Sequence, residues 1–203
     1  MKYEEQIKRI KEKLEEAKRV DVYLEEAGAD SHEYKLGPTL SEEEVKAFED
    51  KYSIELPDCY RAFLLHIGNG GRGYYDSGAG PALGIYPLAL LEEVTDTPEA
   101  SLKNPVTLWP GMTQAEWEEF APNLASDEDT PDEIYDKELS RAFGGLFSIG
   151  AVRPVHNNAI ALNGEYKGRV INVYEFGLPF YYSQENFLDW YEAWLDHVIN
   201  RFG

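Results

Sequence analysis

Apolar positions recur along this chain with two different periods, and the change of period marks out its parts. Near the N-terminus Tyr3, Ile7, Ile10, Leu14 and Ala17 alternate steps of four and three, which predicts a helix over residues 2–19 with one narrow apolar stripe. That stripe is close to a heptad and fits either the body of the same chain or a second copy, a homodimer through the N-terminal helix. Near the C-terminus Phe187, Trp190, Tyr191, Trp194, Leu195 and Val198 step three, one, three, one, three, a wide stripe suited to covering one face of a sheet.

Between these ends the organising stretch is Leu56 to Leu91. Pro57 suits the first turn of a helix because it has no N–H to lose. Tyr60, Phe63, Leu64 and Ile67 then share a helical face, and Gly68 is expected to end the helix in the left-handed conformation. A glycine-rich turn from Asn69 to Gly73 leads to a strand-like apolar return, Leu83 to Leu91.

The remaining segments follow from local signals. Val20 to Leu24 reads as a brief extended piece. Ser41 with Glu44, and Thr113 with Glu116, are capping boxes that open helices, the first with Val45, Phe48 and Tyr52 on its buried side and the second with Trp117 and Phe120. Glu92 to Asn104 reads as loop or broken helix. Asn123 to Asp136 reads as an acidic loop bearing Asp127, Glu128, Asp129, Asp132, Glu133 and Asp136, with Pro131 starting a helix that carries Ile134, Tyr135, Leu139 and Phe143. Gly145 to Ile149, Ala159 to Leu162 and Arg169 to Tyr174 are strand-like, the last two flanking a polar connection with Gly164 and Gly168, a hairpin signature. Pro179 places the next short aromatic segment at a sheet edge, and Ser183 is the expected N-cap of the final helix. The fold class that results is α+β, a mostly antiparallel or mixed sheet packed by helices.

The order and spacing of several of these pieces resemble the SUKH superfamily, which includes the fungal cell-wall-assembly regulators and bacterial toxin-immunity proteins. The matching residues are Leu56-Pro57, Tyr60 to Ile67, Gly68-Asn69-Gly70-Gly71, Gly80-Pro81 and Gly84-Ile85-Tyr86-Pro87-Leu88. In the C-terminal half they are Gly144-Gly145-Leu146, Ile149-Gly150, Asn163-Gly164-Glu165-Tyr166-Lys167-Gly168-Arg169-Val170 and Phe187-Leu188-Asp189-Trp190-Tyr191. Where the superfamily has a Gly-Cys-like turn, this chain reads Ala151 to Asn158, a local departure expected to form a loop. The resemblance implies a SUKH-like domain over 39–203 with an acidic insertion around 101–143, preceded by an N-terminal helical extension over 1–38.

Composition narrows the function. The 38 acids outnumber 19 bases, for a formal net charge of -19, and such a surface repels nucleic acid and anionic membranes. It suits a basic partner, and it equally suits solubility alone. A hydrophobic content of 43% supplies a sizeable core. The single cysteine, Cys59, excludes an internal disulfide and points to a reducing compartment. The charged N-terminal residues lack a signal-peptide core, and no run reaches a membrane span, so a cytoplasmic protein is expected.

Candidate chemistry is sparse. Gly68 to Gly73 matches G-x-G-x-x-G, with Glu92 at a plausible distance for a ribose contact, but these glycines close a helix instead of opening one, so a helix stop and tight turn is the reading. His32, His66, His156 and His197 have no metal-ligand spacing. His156 is the one candidate general base, without a visible partner, and Cys59 in a first helical turn reads as structural. Glu185, Asp189, Glu192 and Asp196 line one side of the final helix, where a solvated face is expected over a cation site or a basic partner's surface. No catalytic set, metal or cofactor is expected. The resemblance implies an immunity protein that neutralises a cognate, often nuclease, toxin by stoichiometric binding, its partner a basic toxin domain; the alternatives are an intracellular regulatory scaffold and, more remotely, an enzyme. The expected contact surface is Asp127, Glu128, Asp129, Asp132, Glu133 and Asp136, with Tyr74, Tyr75 and Asp76.

Overall fold

The computed structural model describes residues 2–90, 99–125, 130–153, 156–174 and 177–203. Its sheet is a four-stranded antiparallel meander in the order β1-β2-β3-β4: β1 (Leu146–Arg153), β2 (His156–Ala161), β3 (Val170–Tyr174) and β4 (Phe180–Tyr181). Its helices are α1 (Glu4–Val20), α2 (Ala29–His32), α3 (Glu42–Tyr52), α4 (Asp58–His66), α5 (Gln114–Phe120), α6 (Asp132–Ala142) and α7 (Phe187–Phe202). The expected α+β class with an antiparallel sheet holds.

The period-two pattern of the strands sorts side chains onto two covered faces. Phe147, Ile149, Ile160 and Val170 pack into the larger core with α1, α3, α4 and α7, centred on Tyr60, Phe63, Phe187 and Tyr191. Leu146, Ala159, Ala161 and Ile171 face the other way, against Trp117, Leu124, Leu139 and Phe143 of the 105–143 segment. The irregular stretch that precedes the sheet in sequence is therefore the cover for its second face. Small residues at Ala159 and Ala161 leave room for Trp117, which is fully buried.

Several local expectations are corrected. Val20 to Leu24 is not extended: α1 runs to Val20, and the Asp21 carboxylate then accepts the amides of Glu25 (2.7 Å) and Glu26 (3.1 Å), forcing a tight turn. Gly68 does not take the left-handed conformation. That falls to Gly70 (φ 57), and Gly68 is needed because a Cβ there would lie 2.7 Å from the Cβ of Leu36. Within the expected loop, Ala151 to Arg153 belong to β1 and His156 to Asn158 belong to β2, with two register shifts along β1; residues 154 and 155 lie outside the described residues. The helix cap is Asn186, not Ser183, because the Asn186 Oδ1 accepts the amides of Leu188 (2.9 Å) and Asp189 (3.2 Å). The return after the glycine turn makes one bridge, Gly78 to Ile85, and donates to the free edge of β1 through Leu83 (to Ala151 O, 3.1 Å) and Tyr86 (to Ile149 O, 2.9 Å). It then turns into a 3-10 segment at Leu88–Leu90. Both capping boxes form as expected.

Candidate functional site

Three surface features carry the residues singled out by the sequence. The first is the loop after the glycine turn. Tyr74, Tyr75 and Asp76 form one 3-10 turn, with Tyr75 (φ 53) and Asp76 (φ 55) in the left-handed region that bulky residues avoid. Crossed backbone bonds hold it: the Gly71 amide to the Asp76 carbonyl (2.6 Å), the Gly73 amide to the Ser77 carbonyl (2.8 Å), and the Tyr74 amide to the Ser31 Oγ (3.0 Å). The glycines permit this closeness, since a Cβ on Gly71 would lie 2.7 Å from the Ser77 carbonyl oxygen. Both tyrosines are about half exposed. Their rings meet edge to face at 4.3 Å, and Tyr75 rests against the buried Tyr86 at 6.4 Å. The Tyr86 phenol is pushed up to about 12, by burial first and then by Tyr74 and Tyr75. The Tyr74 phenol also lies above its ordinary range, because it hydrogen-bonds Tyr75.

The second feature is the acidic segment. Asp132, Glu133 and Asp136 are not in a loop but on the first two turns of α6, opened by Pro131. Pro131 supplies an N-terminal φ of -55, and acids in a first turn favour the helix dipole. All three acids are exposed, as is Ile134 among them. Asp127, Glu128 and Asp129 lie outside the described residues, as does Glu92. Among the described residues no hydrogen bond, ion pair or ring contact joins the α6 acids to the tyrosine loop.

The third feature overturns an expectation. The acidic row of α7 is not a solvated face but the seat of α1. Glu192, only 9% exposed, accepts from Arg9 (2.9 and 3.1 Å), Lys13 (3.0 Å) and Gln6 (3.1 Å), while Asp189 accepts from Gln6 (2.8 Å) and Asp196 from Lys13 (2.8 Å). Burial works to raise the Glu192 pKa, but the donors from Arg9, Lys13 and Gln6 prevail and hold it at about 2. Ile7, Ile10 and Ala17 close the apolar part of this contact. The α1 stripe is thus occupied by α7 of the same chain. The sequence signal was available: Gln6, Arg9 and Lys13 step three and four, as do Asp189, Glu192 and Asp196. Only the parallel seating of two distant helices, invisible in one dimension, brings the rows together.

His156 lies on β2, stacked on Tyr174 at 4.2 Å with rings nearly parallel. His32 is buried: its Nε2 donates to the Gly80 carbonyl (3.1 Å) and its Nδ1 accepts the Tyr34 amide (3.1 Å), and burial brings its pKa down to about 4. Cys59 is buried against the Gly168 carbonyl, and burial raises its thiol pKa. Among the described residues no group of three or more His, Cys, Asp or Glu is arranged to hold a metal, and no helix is long and apolar enough to cross a membrane.

Taken together the chain is an α+β domain, its sheet covered on both faces, with a braced aromatic loop and exposed acids on its described surface. The profile of the SMI1 / KNR4 family (SUKH-1) matches residues 39–193, from the entry to α3 to the first half of α7. The chain belongs to that family, and α1 and α2 lie outside the matched region. No curated protein and no solved structure is similar enough to the chain to count as a match.

Proposed function

We propose that this protein works by stoichiometric binding of another protein and catalyses nothing, and that its role is that of an immunity protein which occupies and silences a basic toxin domain, often a nuclease, in the cytoplasm. The observation that carries this reading is the distribution of negative charge. Glu192 and Asp196 of α7 are neutralised internally by Arg9 and Lys13 of α1, whereas Asp76, Glu119, Asp132, Glu133 and Asp136 stand exposed with no cation paired to them among the described residues. Unneutralised acids on a surface raise encounter rates with a cationic partner and compete with phosphate for the same basic cleft. Membership of the SUKH-1 family is compatible with this role and with that of a regulatory scaffold; the charge favours the former.

The test is reconstitution with the toxin domain encoded beside this chain's gene. The expected result is a one-to-one complex by light scattering and loss of toxin activity at one equivalent, with association slowing steeply between about 0.05 M and about 0.5 M salt as screening sets in. Charge reversal at Asp132 and Asp136 slows association further. Recovery of cell-wall biosynthetic enzymes alone from native cells, at any salt concentration, overturns the immunity role in favour of the scaffold.

A further inference from the structure

We infer that the Tyr74–Tyr75–Asp76 turn is a receiving site for a single lysine or arginine side chain of a protein partner. This inference deepens the partner-binding reading above and rests on it.

The first argument is strain. An L-residue in the left-handed region is strained, bulky Tyr75 is a poor choice for it, and among the described residues no other exposed aromatic adopts it. Positive φ also occurs at Leu24, Glu33, Tyr34, Ser53 and Ala82. Ser53 and Glu33 end helices, Tyr34 is carried to a buried ring, Leu24 sits in the turn held by Asp21, and Ala82 lies in the turn closed by the Gly84 amide on the Pro81 carbonyl (3.0 Å), so each has a reason within the fold. At Tyr75 the conformation leaves the side chain about half exposed, its ring lying between Tyr74 and the buried Tyr86.

The second argument is rigidity. Three crossed hydrogen bonds and the close-packed glycines around them hold the turn, and the floor is Tyr86 with Leu90 and Ala151 beneath it. A site held this way loses little entropy on binding. Tyrosine adds large contact area with few rotatable bonds.

The third argument is chemistry. Two ring faces present negative quadrupoles, two adjacent phenol oxygens accept hydrogen bonds, and the Asp76 carboxylate sits next in the chain, exposed and unpaired among the described residues. Arg72, the neighbouring exposed cation, makes no ion pair with Asp76 among the described residues, so the carboxylate remains available. Exposed tyrosine rings followed in the chain by an exposed carboxylate match a cationic side chain better than a phosphate or an apolar anchor.

The probe is a short blocked peptide, Gly-Arg-Gly, compared with its lysine form and with the citrulline form, which has the same shape without the charge. Tyrosine ring signals of the full chain are followed by two-dimensional NMR. The expected result is movement of the Tyr74 and Tyr75 signals with the arginine and lysine peptides, saturating in about the millimolar range, and binding about two- to fivefold weaker with citrulline. Tyr74→Leu/Tyr75→Leu, which keeps apolar bulk and removes the rings, abolishes the response, and Asp76→Asn weakens it. Equal response to citrulline, response confined to other tyrosines, or an unchanged response in the leucine variant overturns the inference; if that variant does not fold, the citrulline comparison on the natural chain decides alone. Failure here with an intact toxin complex removes this site and leaves the proposed function standing, and the reverse outcome removes the toxin role and keeps the cation site.

Discussion

Replacing Glu192 by Gln probes the α1–α7 contact with almost no change of shape, because the amide mimics a protonated carboxyl. Glu192 ionises at about 2 in the folded chain against an ordinary 4.5. That difference of about 2.5 units corresponds to roughly 3 kcal/mol of stability at neutral pH, taking about 1.4 kcal/mol per unit. The Glu192 side chain is only 12% exposed, whereas Arg9 is 52% exposed, so solvent screening reduces the expected cost to about 2–3 kcal/mol. The direction of the pH dependence follows from the lowered pKa: the contribution is complete above about 4.5 and disappears as pH falls toward 2. Urea unfolding of the natural chain and Glu192→Gln at pH 7 and pH 3 measures it. The gap between the two proteins should be about 2–3 kcal/mol at pH 7 and less than half of that at pH 3. A gap below about 0.5 kcal/mol at pH 7, or one that does not shrink at pH 3, refutes the assignment of α1 as an electrostatic clamp on α7.

Other perturbations read different parts of the fold. His32 has its pKa depressed by burial to about 4, so its stabilising effect is complete above about 6.5 and is lost as pH falls from there to 4; NMR should show its imidazole neutral at pH 5.5, and ordinary titration near 6.5 would contradict its burial. Tyr60→Phe removes a fully buried hydroxyl that has no hydrogen-bond partner among the described residues, so the variant should be as stable as the natural chain or more stable by about 1 kcal/mol in thermal unfolding, and a drop in Tm points to a partner. Asn186→Ala deletes the cap of α7 and should cost about 1 kcal/mol in urea unfolding, while Ser183→Ala, at the position expected from sequence, should cost far less.

Most helices were legible because their signals are local. The Ser41–Glu44 and Thr113–Glu116 boxes each satisfy amides within one turn, and neither needs tertiary help to be recognised. The β2–β3 hairpin was legible for the same reason, since Gly164 (φ 74) and Gly168 (φ 91) stand where the chain must turn. The cap of α7 was misplaced because Ser183 and Asn186 are both competent, and only the course of the chain leaving β4 selects between them. In the candidate surface no sequence pattern reveals that Tyr75 and Asp76 stand in the left-handed region.

From its own order of residues this chain determines its class, its helical stripes, its family resemblance and its large negative charge, because periodicity, capping and composition are one-dimensional quantities. Tertiary structure alone decides what each charged row faces. Glu192 and Asp132 are both helical acids, but one is buried beneath Arg9 and Lys13 and the other is open to solvent. The reason is geometric: a carboxylate's environment is set by elements nearly two hundred residues away, and those distances exist only after the chain has folded.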